Sequence, residues 1–461
     1  MSLSSKVQNF LETEQLSYGL AHGTALGKPG EQVANPSAMA TLIVLEDEQG
    51  KTQVLIPRAS LLDLTALNRR YGRNWHASKT PAVAPVDAEV HPSSALPFLT
   101  DTALLVDQHL LKLDPIYLES GTADIFIKLS QTEFSRLINN APTEPLCQPL
   151  KPLIRASLTE ENDISHITQS IETFSTRRIK SRLNETLEIP PMPSSVEKII
   201  QLRIKPDAHV EELVAIINTD PSLAAQIVSW AASPFYSVPG KIRSVEDAII
   251  RVLGFELVIN LAIGLAIGKT LQLPHDHPHN QAAYWEDALL SATVMERLSR
   301  LHPSLNRPAR GLSYLAGLLH NFGFVVLGHA FPPHFSLLCR HLEANPHVPS
   351  AYIDQHLFGI TRDQISSVLF QNWSLPEEIV RAVRWQHIPS YQGPYANYAN
   401  LLCLSHHLIN TSRGNQNCLM TPTQTTQLYE RLNIEPEAAQ ILVAEIMNKQ
   451  EQFKTASTFF K

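Results

Sequence analysis

The chain has 461 residues, enough for two or three domains with substantial cores, and a net charge of -7 with no basic block anywhere. That balance excludes extended binding along nucleic-acid phosphates and leaves room only for a local basic patch. Cys147, Cys339, Cys403 and Cys418 are scattered without CxxC spacing, which argues against a disulfide framework or a thiolate zinc site and fits a reducing cytoplasm.

The opening Met-Ser-Leu-Ser-Ser-Lys leads into an amphipathic pattern (Val7, Phe10, Leu11) rather than a signal-type apolar region, so a first helix is expected there. β-like runs follow at Ala40 to Leu45 and Thr52 to Ile56, joined across Glu48-Gln49-Gly50. The spacing predicts a helical segment at Leu61 to Leu67. Strands are expected at Ala103 to Val106, Ile116 to Leu118 and the alternating Ile125 to Leu129, then a helix at Thr132 to Ile138. Residues 1–140 therefore read as an α+β domain with several antiparallel pairings.

Pro142, Pro145, Pro149 and Pro152 disfavour helix and pairing strand alike, which places a connector at 141–175 whose polar part, Leu158 to Ser175, reads as one helix. From Thr176 onward strand alternation gives way to helix signals. Asp220-Pro221 supplies an N-cap and a first-turn proline before Leu223, Ile227, Trp230 and Ala231. Ser244 with Asp247 starts a second helix that Gly254 ends, and Ser374-Leu375-Pro376-Glu377 is expected to open Ile379, Val383 and His387 in the same way. A helical domain at 176–415 results, with C-terminal helices in 416–461 (Gln424 to Leu432, Pro436 to Met447) packing on it. The longest apolar run, Leu257 to Gly268, has twelve residues, too short to span a bilayer, so no membrane association is expected.

Family resemblances emerge from ordered motifs. Ala40-Thr41-Leu42-Ile43-Val44, Leu55-Ile56-Pro57, Ser60-Leu61-Leu62-Asp63-Leu64, Leu105-Val106-Asp107 and Tyr117-Leu118-Glu119-Ser120-Gly121 resemble the YbaK/prolyl-tRNA-synthetase-associated editing domain, which hydrolyses mischarged aminoacyl-tRNA. In that family the first strand carries a functional lysine, and its position here is Ala40. The glycine-rich segment before Pro-Phe is reduced to Pro92-Ser93-Ser94-Ala95-Leu96-Pro97-Phe98. The resemblance thus implies a folded module that has lost its deacylase chemistry.

In the helical part, Ile189-Pro190-Pro191-Met192-Pro193, Asp220-Pro221-Ser222-Leu223-Ala224, Lys241-Ile242-Arg243-Ser244-Val245-Glu246-Asp247-Ala248-Ile249 with Leu253-Gly254, Gly317-Leu318-Leu319-His320-Asn321-Phe322-Gly323 and Trp373-Ser374-Leu375-Pro376 resemble the HDOD domain in order. That family is an all-α relative of the HD and HD-GYP phosphohydrolases, commonly without their complete metal set, and is associated with bacterial signalling. Carried over position by position, the metal set reads Asp287 for the early histidine, His320-Asn321 for the His-Asp pair, Phe324 for the lysine after the glycine, Arg362 for the next histidine and Gln386-His387 for the His-His pair. The late aspartate falls near His406. A carboxamide at Asn321 is a poor ligand for a hard dication, and a cationic Arg362 opposes one.

Other readings of these residues are plainer. A lone His320 is ordinarily a hydrogen-bonded core histidine. His275-Asp276-His277-Pro278-His279 reads as a solvated polar loop, only one of His406 and His407 can point inward, and Ala262, Gly264, Ala266 and Gly268 read as close helix packing rather than a phosphate cradle. The expected function is a non-catalytic bacterial signalling or scaffold protein with unidentified protein partners, no cofactor and no bound metal, its HD-type pocket (Asp287, His320, Asn321, Arg362, Gln386, His387) vestigial. Two alternatives stand beside it: a metal-dependent phosphohydrolase using Asp287, His320 and His387, and a tRNA- or nucleotide-sensing module in which Asn321 and Arg362 hold an anion without turnover.

Overall fold

Val54, Leu55 and Ile56 form an unbroken apolar run, and an unbroken run in a strand means that both faces of the sheet are covered. The computed structural model describes residues 3, 5–22, 38–79, 102–121, 125–139, 141–150, 163–174, 193–205, 207–233, 236, 240–269, 275–305, 307–330, 332–413, 420 and 422–457. They form two compact units: one of Met1–Pro152 with Pro278–Asn280 and Ser336–Ile353, the other of Leu153–His277, Gln281–Phe335 and Asp354–Lys461.

The first unit is built on strands β1 (Gly19–His22), β2 (Met39–Asp47), β3 (Gly50–Pro57), β4 (Ser60–Leu62), β5 (His76–Ala77), β6 (Ala103–Asp107), β7 (Ile116–Glu119), β8 (Ile125–Leu129), β9 (Thr143–Glu144) and β10 (Cys147–Pro149). The main sheet runs β1-β8-β7-β2-β3-β6-β9 with β5 on β2, while β10 pairs β4. Its pairing is mixed, β2 being antiparallel to β3 and parallel to β7. Helices Ser5–Thr13 and Gln131–Ile138 cover one face, where Val7, Leu11, Phe134 and Leu137 meet Leu55, Val106 and Leu118. Helix Leu64–Tyr71 covers the other, where Leu64, Leu67 and Trp75 meet Ile43, Val54, Ile56 and Leu105. Successive side chains of β3 thus enter different cores, as the two-residue period requires.

Three expectations change here. Leu61 and Leu62 are strand, not helix: Asp63 caps the helix that follows by accepting from Ala66 N at 2.9 Å. The proline-spaced connector also begins later than residue 141, because Thr143–Glu144 pairs β6 and Cys147–Pro149 pairs β4. Short terminal strands need few N–H donors, so nearby prolines do not prevent them. Segment Ser336–Ile353, expected within the helical domain, packs in this unit, and Asn345 hydrogen-bonds both the N–H and the C=O of Leu62 at 2.7 and 3.1 Å.

The second unit is helical, and none of its described residues is in a strand. Asp220 accepts from Ser222 N and Leu223 N, both at 3.0 Å, capping Pro221–Ala231; a cap of this type contributes about 1 kcal/mol. Ser244 accepts from Asp247 N at 3.0 Å, starting a short helix that continues as a π-helical turn, Ala248–Leu253, up to Gly254. Helix Phe255–Gly268 is buried from Val258 to Ile267, consistent with its all-round apolar character. Its glycines serve packing: a Cβ on Gly264 would collide with Leu318, and one on Gly268 with Trp285. Ser374 does not cap the next helix as expected; it has a left-handed backbone (φ 52), and Glu377–Trp385 begins after Pro376, which offers no side-chain cap. The stretch Ala309–His329 is longer than the apolar run noted from the sequence, and although long and apolar enough to cross a membrane, 83% of its most apolar window is buried within the protein. The C-terminus holds helices Pro422–Leu432 and Pro436–Met447, as expected, and an additional one at Gln450–Ser457.

Candidate functional site: a histidine pocket closed by an arginine

His320 and Asn321 occupy the tight turn between helices Arg307–Leu319 and Phe322–Ala330, at the end of a buried helix as the apolar spacing predicts. The turn is pressed against its neighbours at both glycines. A Cβ on Gly317 would lie 2.6 Å from Ala292 Cα, and one on Gly323 would fall on the Arg362 carbonyl and 2.7 Å from Ser366 Oγ. His320 Nδ1 lies 2.7 Å from the Gly317 carbonyl, so it donates there and Nε2 faces the pocket.

Helix Tyr284–Ser299 brings Asp287 to within 3.5 Å of His320 Nε2, and Arg413 Nη1 donates to the other Asp287 oxygen at 2.9 Å. Burial alone would raise the Asp287 carboxyl pKa; the hydrogen bond from His320 and the charges of Arg413 and His320 outweigh it and hold the group well below the usual carboxylate range. His406 points inward, its ring centroid 4.7 Å from that of His320 and 5.8 Å from that of His387. Burial, then the charges of His320 and His387, depress its pKa well below the ordinary value.

Arg362 closes the pocket. Its Nε and Nη2 donate to the two oxygens of Asp354, each at 2.7 Å, its backbone N–H donates to Asp354 at 3.1 Å, and Nη1 donates to Asn321 Oδ1 at 3.1 Å. Asp354 is 0% and Arg362 4% exposed, so this ion pair is sealed from water. Its guanidinium carbon also lies 5.2 Å from the centre of the Phe324 ring, which stands at the expected lysine position. A Thr361–Gln364 capping box fixes the start of helix Arg362–Asn372 and thereby aims Arg362.

Gln386 and His387 lie just past the end of helix Glu377–Trp385. Gln386 Nε2 donates to Asp363 at 2.7 Å and to the His320 carbonyl at 3.0 Å. His387 Nε2 lies 3.6 Å from Asp363. Burial and the Asp354 charge push the Asp363 carboxyl up to about 7 against the pull of Arg362 and Arg384. Burial, then the Arg362 and His320 charges, push His387 down to about 4.

The structure thus brings all six expected pocket residues into one neighbourhood, together with Asp354, Asp363, His406 and Arg413. Asp354, eight residues before Arg362, and Arg413 lie outside the quoted motifs, whereas the capping box Thr361-Arg362-Asp363-Gln364 is readable in the sequence and marks the helix start. The donor set does not fit a two-metal centre. Asn321 and Gln386 replace acceptor-only or imidazole ligands with amides, Gln386 presents N–H to Asp363, and the Arg362 guanidinium takes up the Asp354 carboxylate. Among the described residues, these histidines and carboxylates do not form a group of three whose ligand atoms all lie within 4.8 Å of one another. Ala40, the other singled-out position, is fully buried in the first unit between Pro57 of β3 and Leu118 of β7. Beside it, Arg58 donates to Glu119 at 2.6 Å.

Several known proteins are similar to this chain. The HDOD domain profile matches residues 189–389. The crystal structure of a candidate signal transduction protein from Marinobacter aquaeolei VT8 is 35% identical and covers 100% of both chains with a TM-score of 0.87. An HDOD domain protein of unknown function from Geobacter sulfurreducens, 21% identical, shares the fold over 61% of this chain and 96% of its own, with a TM-score of 0.50. A protein of Treponema pallidum (strain Nichols) is 25% identical over 217 residues, 47% of this chain, and the chain spans only 41% of that relative's length. Residues 189–389 of this chain are thus an HDOD domain, set in a chain similar from end to end to the Marinobacter protein.

Proposed function

We propose that this protein is a non-catalytic regulator of bacterial signalling whose HDOD unit binds a protein partner rather than turning over a substrate. The observation that carries this is Arg362: its buried guanidinium, held bidentately by Asp354 and tied to Asn321, engages the side-chain oxygens of both in the HD-type pocket. With Asp354 taken up by that guanidinium and an amide at Asn321, neither position offers a dication the free anionic oxygen it needs, and no bound water is then activated for attack. The same pairing weighs against anion sensing through Arg362, because Asp354 already balances its charge. The relationship to a candidate signal transduction protein over the whole length supports a role of that class here.

The first unit is, in this reading, an editing-type module that has lost its chemistry. Ala40 offers no cationic donor for the ester end of an aminoacyl-tRNA, and the neighbouring Arg58 is engaged with Glu119. The experiment is elemental analysis of the purified full chain together with assays of phosphodiester and aminoacyl-tRNA hydrolysis in Mn²⁺ and Fe²⁺. Neither stoichiometric metal in the histidine pocket nor turnover is expected. Metal-dependent phosphodiesterase activity abolished by His320→Ala would overturn the proposal.

A further inference from the structure

Away from the histidine pocket, the first unit gathers three chemically different ligand types at one end of its sheet. Asp107 closes β6 and is 0% exposed, His109 lies in the 3-10 turn Gln108–Lys112, and Cys147 opens β10. Their ligand atoms all lie within 4.8 Å of one another. His109 Nδ1 is 2.8 Å from Asp107 Oδ1, and the Cys147 thiol contacts the same carboxylate.

We propose that Asp107, His109 and Cys147 form a site for a divalent ion of the zinc class, which staples β10 to the end of β6. One sulfur, one imidazole and one carboxylate are what zinc accepts, with water as fourth ligand. With bonds of about 2.0–2.3 Å, a tetrahedral ion sets its ligands roughly 3.3–3.8 Å apart, so the cluster needs only a small adjustment. The charges balance: a dication meets one thiolate, one carboxylate and a neutral imidazole, leaving no net charge in a largely buried place. The protons balance too. The Cys147 thiol hydrogen leaves to solvent, the His109 hydrogen moves from Nδ1 to Nε2, and the ion takes the place of the hydrogen between Nδ1 and Asp107.

The carboxylate is already aimed for this. It accepts from the backbone N–H groups of Leu146 at 2.7 Å, His109 at 2.8 Å and Cys147 at 3.1 Å, bonds that survive metal binding and orient the ligand. The His109 side chain, 37% exposed, provides the route for the ion and the water. The site lacks the CxxC spacing by which zinc centres are found in sequences, because its one sulfur ligand lies 38 residues beyond His109, on β10.

The test is Co²⁺ titration of the full chain by absorption. One equivalent is expected to bind with a thiolate-to-cobalt charge-transfer band in the near ultraviolet and to be displaced by Zn²⁺. Cys147→Ser should abolish the band, and His109→Ala, at a partly exposed position, should weaken binding at least roughly tenfold. The double variant His275→Ala/His277→Ala should change neither. Cobalt bound without the charge-transfer band, or a band that persists in Cys147→Ser, would mean adventitious binding and overturn the proposal.

Discussion

Arg362→Ala is the sharpest test of the pocket. The substitution removes the two side-chain bonds to Asp354 and the bond to Asn321, while the backbone N–H at 362 still reaches Asp354 at 3.1 Å. A carboxyl group that is 0% exposed is then left with one backbone donor. Breaking a buried pair in this way costs about 3–5 kcal/mol, much of it the penalty of the stranded charge. Removing both partners should therefore cost less than the sum of the two single changes, with a coupling of about 1–3 kcal/mol. Arg362→Lys keeps the charge but not the planar fork, and should fall between wild type and alanine. Urea unfolding followed by tryptophan fluorescence measures these differences, since Trp230, Trp285, Trp373 and Trp385 all report on the second unit. A cost below about 1 kcal/mol for Arg362→Ala, or strict additivity with Asp354→Ala, would show that the guanidinium is not fixed by its partner. The argument that this ion pair withholds the Asp354 carboxylate from a dication would then fail with it.

Two further predictions concern the surroundings of that pair. Asp363, faced by Asp354, Arg362, Arg384, Gln386 and His387, is raised to about 7, so its contribution to stability is lost as pH climbs from the ordinary carboxylate value through about 7. His387 is lowered to about 4, so its contribution is present above the ordinary histidine value and is lost as pH falls through about 4. In the wild type these slopes oppose each other; Asp363→Asn should reveal an acid-side loss of about 3 kcal/mol and His387→Gln a loss of similar size on the rising-pH side, in unfolding measured from pH 4 to 8. Identical pH profiles for the two variants would refute the assignment. The other prediction concerns helix Asp163–Phe174, whose first residue accepts from Arg384 Nε at 2.6 Å, Arg384 Nη2 at 2.9 Å and Gln364 at 2.8 Å. Asp163→Ala should cost about 3 kcal/mol and speed hydrogen exchange across 163–174 while helix Phe255–Gly268 keeps its protection; unchanged exchange would show that the helix is held by something else.

Much of the architecture was legible because it rests on local rules. The apolar alternation at Ile125 to Leu129, the Asp220-Pro221 cap and the Ser244 start depend on neighbours within a few residues, and the structure contains each of them. The motif order also located the pocket, since Asp287, His320, Asn321, Arg362, Gln386 and His387 do meet. Tertiary structure decided what those residues do there. Arg362 alone reads as a charge that repels metal or attracts an anion, and only Asp354, packed beside it, makes it a saturated ion pair. The short strands at Leu61 and Cys147 were likewise hidden, because strand pairing is a property of the partner and not of the segment. The same holds for the clamp on Asp163, whose partners lie 201 and 221 residues away. Sequence by itself determined the capped helix starts at Pro221 and Val245 and the alternating strand at Ile125, since those follow from periodicity and capping. Which buried charges neutralise one another was settled only by packing, because Coulomb energy in a dry interior depends on distances that no spacing along the chain encodes.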